Sequence, residues 1–383
     1  MRMRETRNLE NERITQSRME KAALVGTVLK GMESWETQDS LDELALLTDT
    51  AGAVVVRRYI QSRPKPDPAT FIGKGKVNEI AAQNGAFDIV IFDDDLSPTQ
   101  VSALEETIGK RVLDRSGLIL DIFARRARTR EARTQVELAQ LQYLLPRLTG
   151  RWRHLERQAG GIGLRGPGET QLETDRRLVR KRIARLAREL ESIERQRDTQ
   201  RRRRRNLFKV AIVGYTNAGK STLLNTLTES EVFVEDRLFA TLDATVRAMK
   251  SKNAERILLI DTVGFIRKLP PHLVASFRST LEETTSADLL LHLVDLSHPH
   301  YENQIRQVNN TLADLGLKDA PQILVFNKVD RVLHEAEIKR VQEMYPQAEF
   351  ISALRKIRIE ALKSRLQTER EVWTRRLQQS NPS

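Results

Sequence analysis

Leu207-Phe208-Lys209-Val210-Ala211-Ile212-Val213 runs directly into Gly214-Tyr215-Thr216-Asn217-Ala218-Gly219-Lys220-Ser221-Thr222 and then into the helical Leu223-Leu224-Asn225. A short buried-type strand, a glycine loop and a helix in that order form the setting in which such a loop cradles phosphate. Gly219 lets the main chain wrap closely, so that backbone N–H groups and the helix N-terminus face the phosphates. Lys220 supplies a fixed positive charge for the β- and γ-phosphate oxygens, and the Ser221 hydroxyl is placed to ligate Mg²⁺. This stretch predicts an α/β fold with a nucleotide at the strand's carboxyl end.

Working outward, Arg256 to Ile260 reads as a second strand, ending in Asp261-Thr262-Val263-Gly264. The Asp261 carboxylate would reach Mg²⁺ through water, and the Gly264 N–H would sense the γ-phosphate. A third strand, Gln322 to Phe326, ends in Asn327-Lys328-Val329-Asp330. Asp330 can accept from both N1–H and the 2-amino group of guanine, whereas adenine has no 2-amino group and presents an acceptor at N1. An adenine would leave a carboxylate unpaired, which sites built for hydrogen bonding reject strongly. The expected substrate is therefore GTP, with Mg²⁺ as cofactor.

The 383 residues suit two or three domains of roughly 100–200 residues each. With no cysteine, disulfide frameworks, thiolate nucleophiles and zinc-thiolate sites are excluded, and a reducing cytoplasm is the expected location. No apolar run approaches the roughly 20 residues of a membrane span. The net charge of +12 is concentrated: residues 151–209 hold 19 Lys or Arg against 8 Asp or Glu. One dense basic block is the footprint of nucleic-acid binding, its alternative being a solvated helix face.

The expected organisation is a leader over residues 1–40, an N-terminal α/β domain over 41–126, a basic helical hairpin with a glycine-rich loop over 127–205, a P-loop G domain over 206–365 and a short helical tail over 366–383. In the first domain Ala53 to Val56 and Asp88 to Phe92 read as strands, and Val77 to Ala82 and Pro98 to Ile108 as helices. Gly73-Lys74-Gly75-Lys76 lacks nucleotide-loop spacing and reads as a basic turn opening a helix. Leu138, Leu141, Leu145, Leu148, Trp152 and Leu155 then form one helical stripe, and Val179, Ile183, Leu186, Leu190 and Ile193 another. Two such stripes predict an antiparallel hairpin, broken near Pro146. Gly160 to Gly168 lies between them with five glycines in nine residues, a loop suited to close approach by another molecule. Tyr143 and Trp152 fit packing stripes better than base stacking, and His298 and His300 read as loop residues rather than metal ligands.

In order and spacing these motifs resemble the translation-factor class of P-loop GTPases, and the wider sequence resembles the HflX family over nearly the whole chain. The resemblance is carried by Pro68-Ala69-Thr70-Phe71-Ile72-Gly73-Lys74-Gly75-Lys76-Val77, by Phe92-Asp93-Asp94 with Leu96-Ser97-Pro98, by Asp114-Arg115-Ser116-Gly117-Leu118-Ile119-Leu120-Asp121-Ile122-Phe123, and by the glycine loop continuing into Glu169-Thr170-Gln171-Leu172-Glu173-Thr174-Asp175-Arg176-Arg177. It implies a monomeric factor that binds the large ribosomal subunit and its rRNA and separates stalled or idle ribosomes. It also implies that Phe239-Ala240-Thr241-Leu242-Asp243 is the first switch, with Thr241 on Mg²⁺ and the γ-phosphate and Thr245 as alternative. Lys220, Thr241 and Gly264 are then the expected catalytic groups, and Ser221, Thr241 and Asp261 the metal ligands. Asn217 stands where related GTPases hold K⁺, which makes that ion a candidate. Ser352-Ala353 resembles the last guanine motif.

Two residues and one stretch depart from the pattern. Ala244 replaces a usual proline, Phe265 follows Gly264 and cannot orient an attacking water, and Leu354-Arg355-Lys356-Ile357 replaces a glycine-containing continuation. Phe265 and the altered stretch after Ala353 motivate the alternative of a nucleotide-responsive RNA-binding scaffold with little turnover.

Overall fold

The computed structural model describes residues 19–149, 167–202, 207–229, 238–239, 245–249, 256–268 and 284–380. The chain divides into two compact units, one of residues 1–122 and 140–181, the other of 123–139 and 182–383. The helical segment expected as a separate domain over 127–205 is thus shared between them.

The first unit is built on strand β1 (Glu20–Leu29), helix α1 (Ser34–Thr50), β2 (Ala53–Arg63), α2 (Lys74–Ala82), β3 (Ile89–Phe92), α3 (Pro98–Ile108), β4 (Arg111–Asp114) and the start of α4 (Arg115–Arg126). The four strands are parallel in the order β2-β1-β3-β4. The expected leader needs correcting, because β1 is an inner strand of this sheet and the boundary at residue 41 falls inside α1. Ala22-Ala23-Leu24-Val25 is buried on both faces, as an inner parallel strand requires. Helix α3 follows its sequence closely. Ser97 and Gln100 cap it reciprocally, Pro98 opens it, and Gly109 ends it at φ 71°. Asp114, at the carboxyl end of β4, is fully buried and accepts from Tyr143 Oη at 2.6 Å and from Arg147 Nη2 at 2.7 Å. Burial and the Asp114 charge hold the Tyr143 phenol far above its ordinary range. Its oxygen lies 2.6 Å from where a Cβ on Gly117 would stand, so only glycine admits it.

Helices α5 (Arg130–Leu144) and α6 (Pro167–Arg202) are each divided between the units, and their portions in the second, residues 130–139 and 182–202, run antiparallel. Arg130 bonds to Glu189 at 2.7 Å, and seven residues further along α5 Glu137 accepts both arms of Arg182 at 2.7 and 2.9 Å. Leu186 and Leu190 of the second stripe are buried, while Leu178, off it, is exposed. Helix α5 stops at Leu144 before Pro146, where a short 3₁₀ segment follows. Trp152, Leu155 and most of the glycine loop lie outside the described residues.

There follow β5 (Phe208–Gly214), α7 (Lys220–Thr228), β6 (Thr245–Met249), β7 (Ile257–Asp261), β8 (Leu289–Asp295), α8 (Tyr301–Asp314), β9 (Gln322–Asn327), α9 (Glu335–Met344), β10 (Glu349–Phe350) and α10 (Ile359–Ser380). The sheet order is β10-β9-β8-β5-β7-β6, parallel except for β6. Leu223, Leu224 and Leu227 of α7 pack on Val210 and Ile212 on one face, and Val308 and Leu312 of α8 on Ala211 and Val213 on the other. Burying such a side chain stabilises by about 1.5–3 kcal/mol. The tail boundary expected at residue 366 falls inside α10, whose Leu362 and Leu366 belong to this core.

Candidate nucleotide-binding site

The parallel strands bring the carboxyl ends of β5, β7 and β9 to one edge of the sheet, where open α/β sheets bind ligands. At the end of β5, Gly214 has φ 150°, and a Cβ there would stand 2.2 Å from the Leu293 carbonyl oxygen. Asn217 at φ 60° and Gly219 at φ 96° turn the loop into α7, whose N-terminus has no side-chain cap. Its first N–H groups are therefore available to an anion. Lys220 Nζ donates to the carbonyls of Gly214 at 3.1 Å and Tyr215 at 2.7 Å. Burial pushes its pKa down to about 8, against the attraction of Asp261.

The Ser221 hydroxyl donates to Asp261 Oδ2 at 2.8 Å. Hydroxyl and carboxylate are hard oxygen ligands that suit Mg²⁺, which takes one or two protein groups and completes its shell with phosphate and water. Among the described residues no cluster of three His, Cys, Asp or Glu offers a metal an all-protein cage. Thr216 Oγ1 is buried with no hydrogen-bond partner among the described residues, a further polar atom left for a ligand.

Beyond Asp261, Thr262 Oγ1 is used internally, donating to the Ile212 carbonyl at 2.7 Å. A Cβ on Gly264 would stand 2.7 Å from Thr216 Cγ2 and 2.9 Å from Lys220 Nζ, so this main chain sits against the phosphate loop. Phe265 ties the two segments together: its N–H donates to the Gly214 carbonyl at 3.1 Å, and its carbonyl accepts from Thr216 N–H at 2.7 Å. Its ring packs with Tyr215, Val213 and Leu290. Tyr215, Thr262 and Phe265 thus shape the loop from behind, with their side chains committed to the protein.

The motif expected to read guanine is joined to the loop through Asn327, which donates to the Ala218 carbonyl at 2.8 Å and accepts from Ala353 N–H at 2.9 Å. Lys328, in the left-handed region, pairs with Asp295 at 2.7 Å, a partner the sequence reading missed. Asp330, in a 3₁₀ turn over Val329–Arg331, is exposed and forms no hydrogen bond or ion pair among the described residues. Ser352 and Ile357 exchange two backbone bonds of 3.2 and 3.0 Å, and Arg355 N–H bonds to Ser352 Oγ at 3.0 Å. The glycine-free stretch is closed by backbone pairing, with Lys356 at φ 56°.

Of the segment expected as the first switch, Phe239 is buried, in edge contact with the Phe123 ring at 4.7 Å. Its side chain serves packing. Ala240, Thr241, Leu242 and Asp243 lie outside the described residues. Thr245 opens β6 opposite Asp261 in register. His292, on β8, is buried with no hydrogen bond at Nδ1 among the described residues, and burial followed by the Lys220 charge pushes its pKa down to about 4. His298 and His300 flank a turn, as expected of loop residues.

Three family models match the chain: GTP-binding GTPase N-terminal over residues 38–124, GTP-binding GTPase Middle Region over 126–204 and 50S ribosome-binding GTPase over 209–328. The sequence is 54% identical over 329 residues to GTPase HflX of Flavobacterium psychrophilum, covering 85% of this chain and 78% of that protein. It is 48% identical over 321 residues to GTPase HflX of Escherichia coli, covering 82% and 75%. Among solved structures, SsGBP in complex with GDP is similar at 27% identity and a TM-score of 0.50, over 91% of this chain and 98% of that one.

Proposed function

The chain belongs to the GTPase HflX family, and on that premise we propose that it is a cytoplasmic, monomeric GTPase that binds the large ribosomal subunit through its rRNA and separates stalled or idle ribosomes. One observation carries the reading: the nucleotide site shares a compact unit with the antiparallel helices, on which Arg130, Arg185, Arg188 and Arg195 are exposed. Such a cationic surface attracts phosphate backbones. The match to a 50S ribosome-binding GTPase model supports the choice of partner. Among the described residues no helix is long and apolar enough to cross a membrane.

In this mechanism the loop N–H groups and Lys220 neutralise the phosphates and orient the γ-phosphoryl for in-line attack. Mg²⁺, held by Ser221 and Asp261 with Thr241 as the expected third ligand, would neutralise developing charge. Gly264, pressed against Thr216 and Lys220, is placed to report the γ-phosphate to the switch segments. Because Phe265 turns its ring into the core, hydrolysis draws on no side chain at that position. The exposed Asn217 carboxamide is the candidate ligand for K⁺, so turnover should be faster in K⁺ than in Na⁺ at equal ionic strength. Equal rates with ribosomes present would remove that ion from the mechanism.

Cosedimentation with separated subunits in GTP, GDP and a non-hydrolysable analogue tests the proposal, alongside light scattering of intact ribosomes. Retention on the large subunit in the triphosphate state and a GTP-dependent fall in scattering are expected. Binding that ignores the nucleotide, with no fall in scattering, would sink it.

A further inference from the structure

Strand β2 is the longest in the first sheet, and among the described residues no strand pairs with its outer edge. Free edges of this length invite pairing, and proteins usually blunt them with charge or bulges. Both devices are present. The register passes from Ala22 opposite Val55 to Ala23 opposite Arg57, so Val56 is bulged, and Arg57 and Arg58 follow at once.

Beyond the bulge the strand is regular. Tyr59 packs with Val77 and Ile80 of α2, so Arg57, two residues away, shares that face. Arg58 lies on the opposite face and pairs with Asp42 of α1. Arg57 is exposed and makes no hydrogen bond or ion pair among the described residues. It lines an open cavity of about 420 Å³ with Ala82, Gln83, Gly85 and Ala86. Tyr59 Oη donates to Gln83 Oε1 at 2.9 Å on the cavity wall, and a Cβ on Gly85 would meet nothing within 4 Å.

Charge and surface chemistry select the occupant. Residues 53–82 carry six Lys or Arg and two Asp or Glu. A second copy paired strand to strand would set Arg57 and Arg58 against like charges. Nucleic acid would use the charge but leave the backbone groups of the edge unpaired and the exposed Ile60 unmatched. An extended acidic peptide uses all of these features.

We propose that β2, from Arg57 to Arg63, accepts an extended acidic peptide of a partner protein as a fifth strand, with one of its carboxylates in the Arg57 cavity. This strand belongs to the first unit and the nucleotide site to the second, and the proposal holds whether or not the ribosome is the partner of the G domain. The probe is an acetylated eight-residue peptide alternating glutamate with valine, added to the full chain and followed by amide exchange and by titration. Slower exchange across Arg57 to Arg63 is expected, with affinity about tenfold weaker in Arg57→Glu. Basal GTP hydrolysis should be unchanged in that variant, since its side chain is at the surface. A peptide alternating lysine with valine should not bind. The proposal is overturned if the acidic peptide leaves β2 exchange unchanged, if the lysine peptide protects equally, or if a single-stranded RNA oligomer protects the same amides where the peptide does not.

Discussion

Lys220 is the residue where electrostatics and function meet most directly. Burial pushes its pKa down to about 8, while a bound anionic phosphate favours the charged ammonium and raises the pKa again. Binding between those two values takes up a proton, so affinity is complete below about pH 8 and declines as pH rises through it. GDP titrations from pH 7 to 9.5 should show that decline in the wild type and lose it in Lys220→Met. A flat wild-type profile would mean that the lysine stays charged without the nucleotide. Among the described residues Asp330 has no partner, as a carboxylate kept for the base requires. Asp330→Asn should shift preference from guanine toward xanthine, whose 2-oxo group accepts where guanine donates. Competition binding checks this, and a variant that still prefers GDP would contradict the assignment.

At the scale of elements, α10 is tied to β5 and to the residue before β8. Trp373 of α10 donates from Nε1 to Asp288 Oδ1 at 3.0 Å, and the other oxygen of that carboxylate accepts from Lys209 N–H at 2.8 Å. The Trp373 ring also lies 5.4 Å from Phe208, the first residue of β5. The last helix therefore fastens the strand that leads into the phosphate loop. Trp373→Phe removes one bond to a carboxylate and should cost about 1.5–3 kcal/mol. Trp373→Ala also loses ring packing and should cost about 3–5 kcal/mol. Native-state exchange of the β5 amides reads these losses in this unit alone, and equal costs for the two variants would show that the indole N–H contributes nothing.

At the scale of the whole molecule, charge is distributed so that residues 151–209 hold nearly all of the net excess. Neutralising Arg201 to Arg205 should weaken subunit binding and flatten its salt dependence, since each lost phosphate contact removes about 0.9 from the slope of log K for duplex nucleic acid. Bulky replacements of Gly160, Gly161 and Gly163 should instead spare the initial attraction and slow ribosome separation. Subunit affinity across a salt series and scattering kinetics separate the two effects. A wild-type slope in the arginine variant, with normal separation by the loop variant, would reduce the segment to a spacer.

What could be read from sequence was whatever depends on near neighbours in the chain: the loop from Gly214 to Ser221, the Asp261 and Asn327 motifs at strand ends, the Pro98 to Ile108 helix, and the second heptad stripe. These signals are local because backbone conformation, capping and periodicity act over a few residues. The fold determined the rest through contacts distant in sequence. Strand β1 was missed because a run such as Ala22-Ala23-Leu24-Val25 shows its inner-strand role only once β2 and β3 flank it. The left-handed Lys356, the inward Phe265 and the bridging Asn327 likewise depend on what the main chain packs against. So does the depressed pKa of Lys220, because desolvation belongs to the assembled core and to no stretch of sequence by itself.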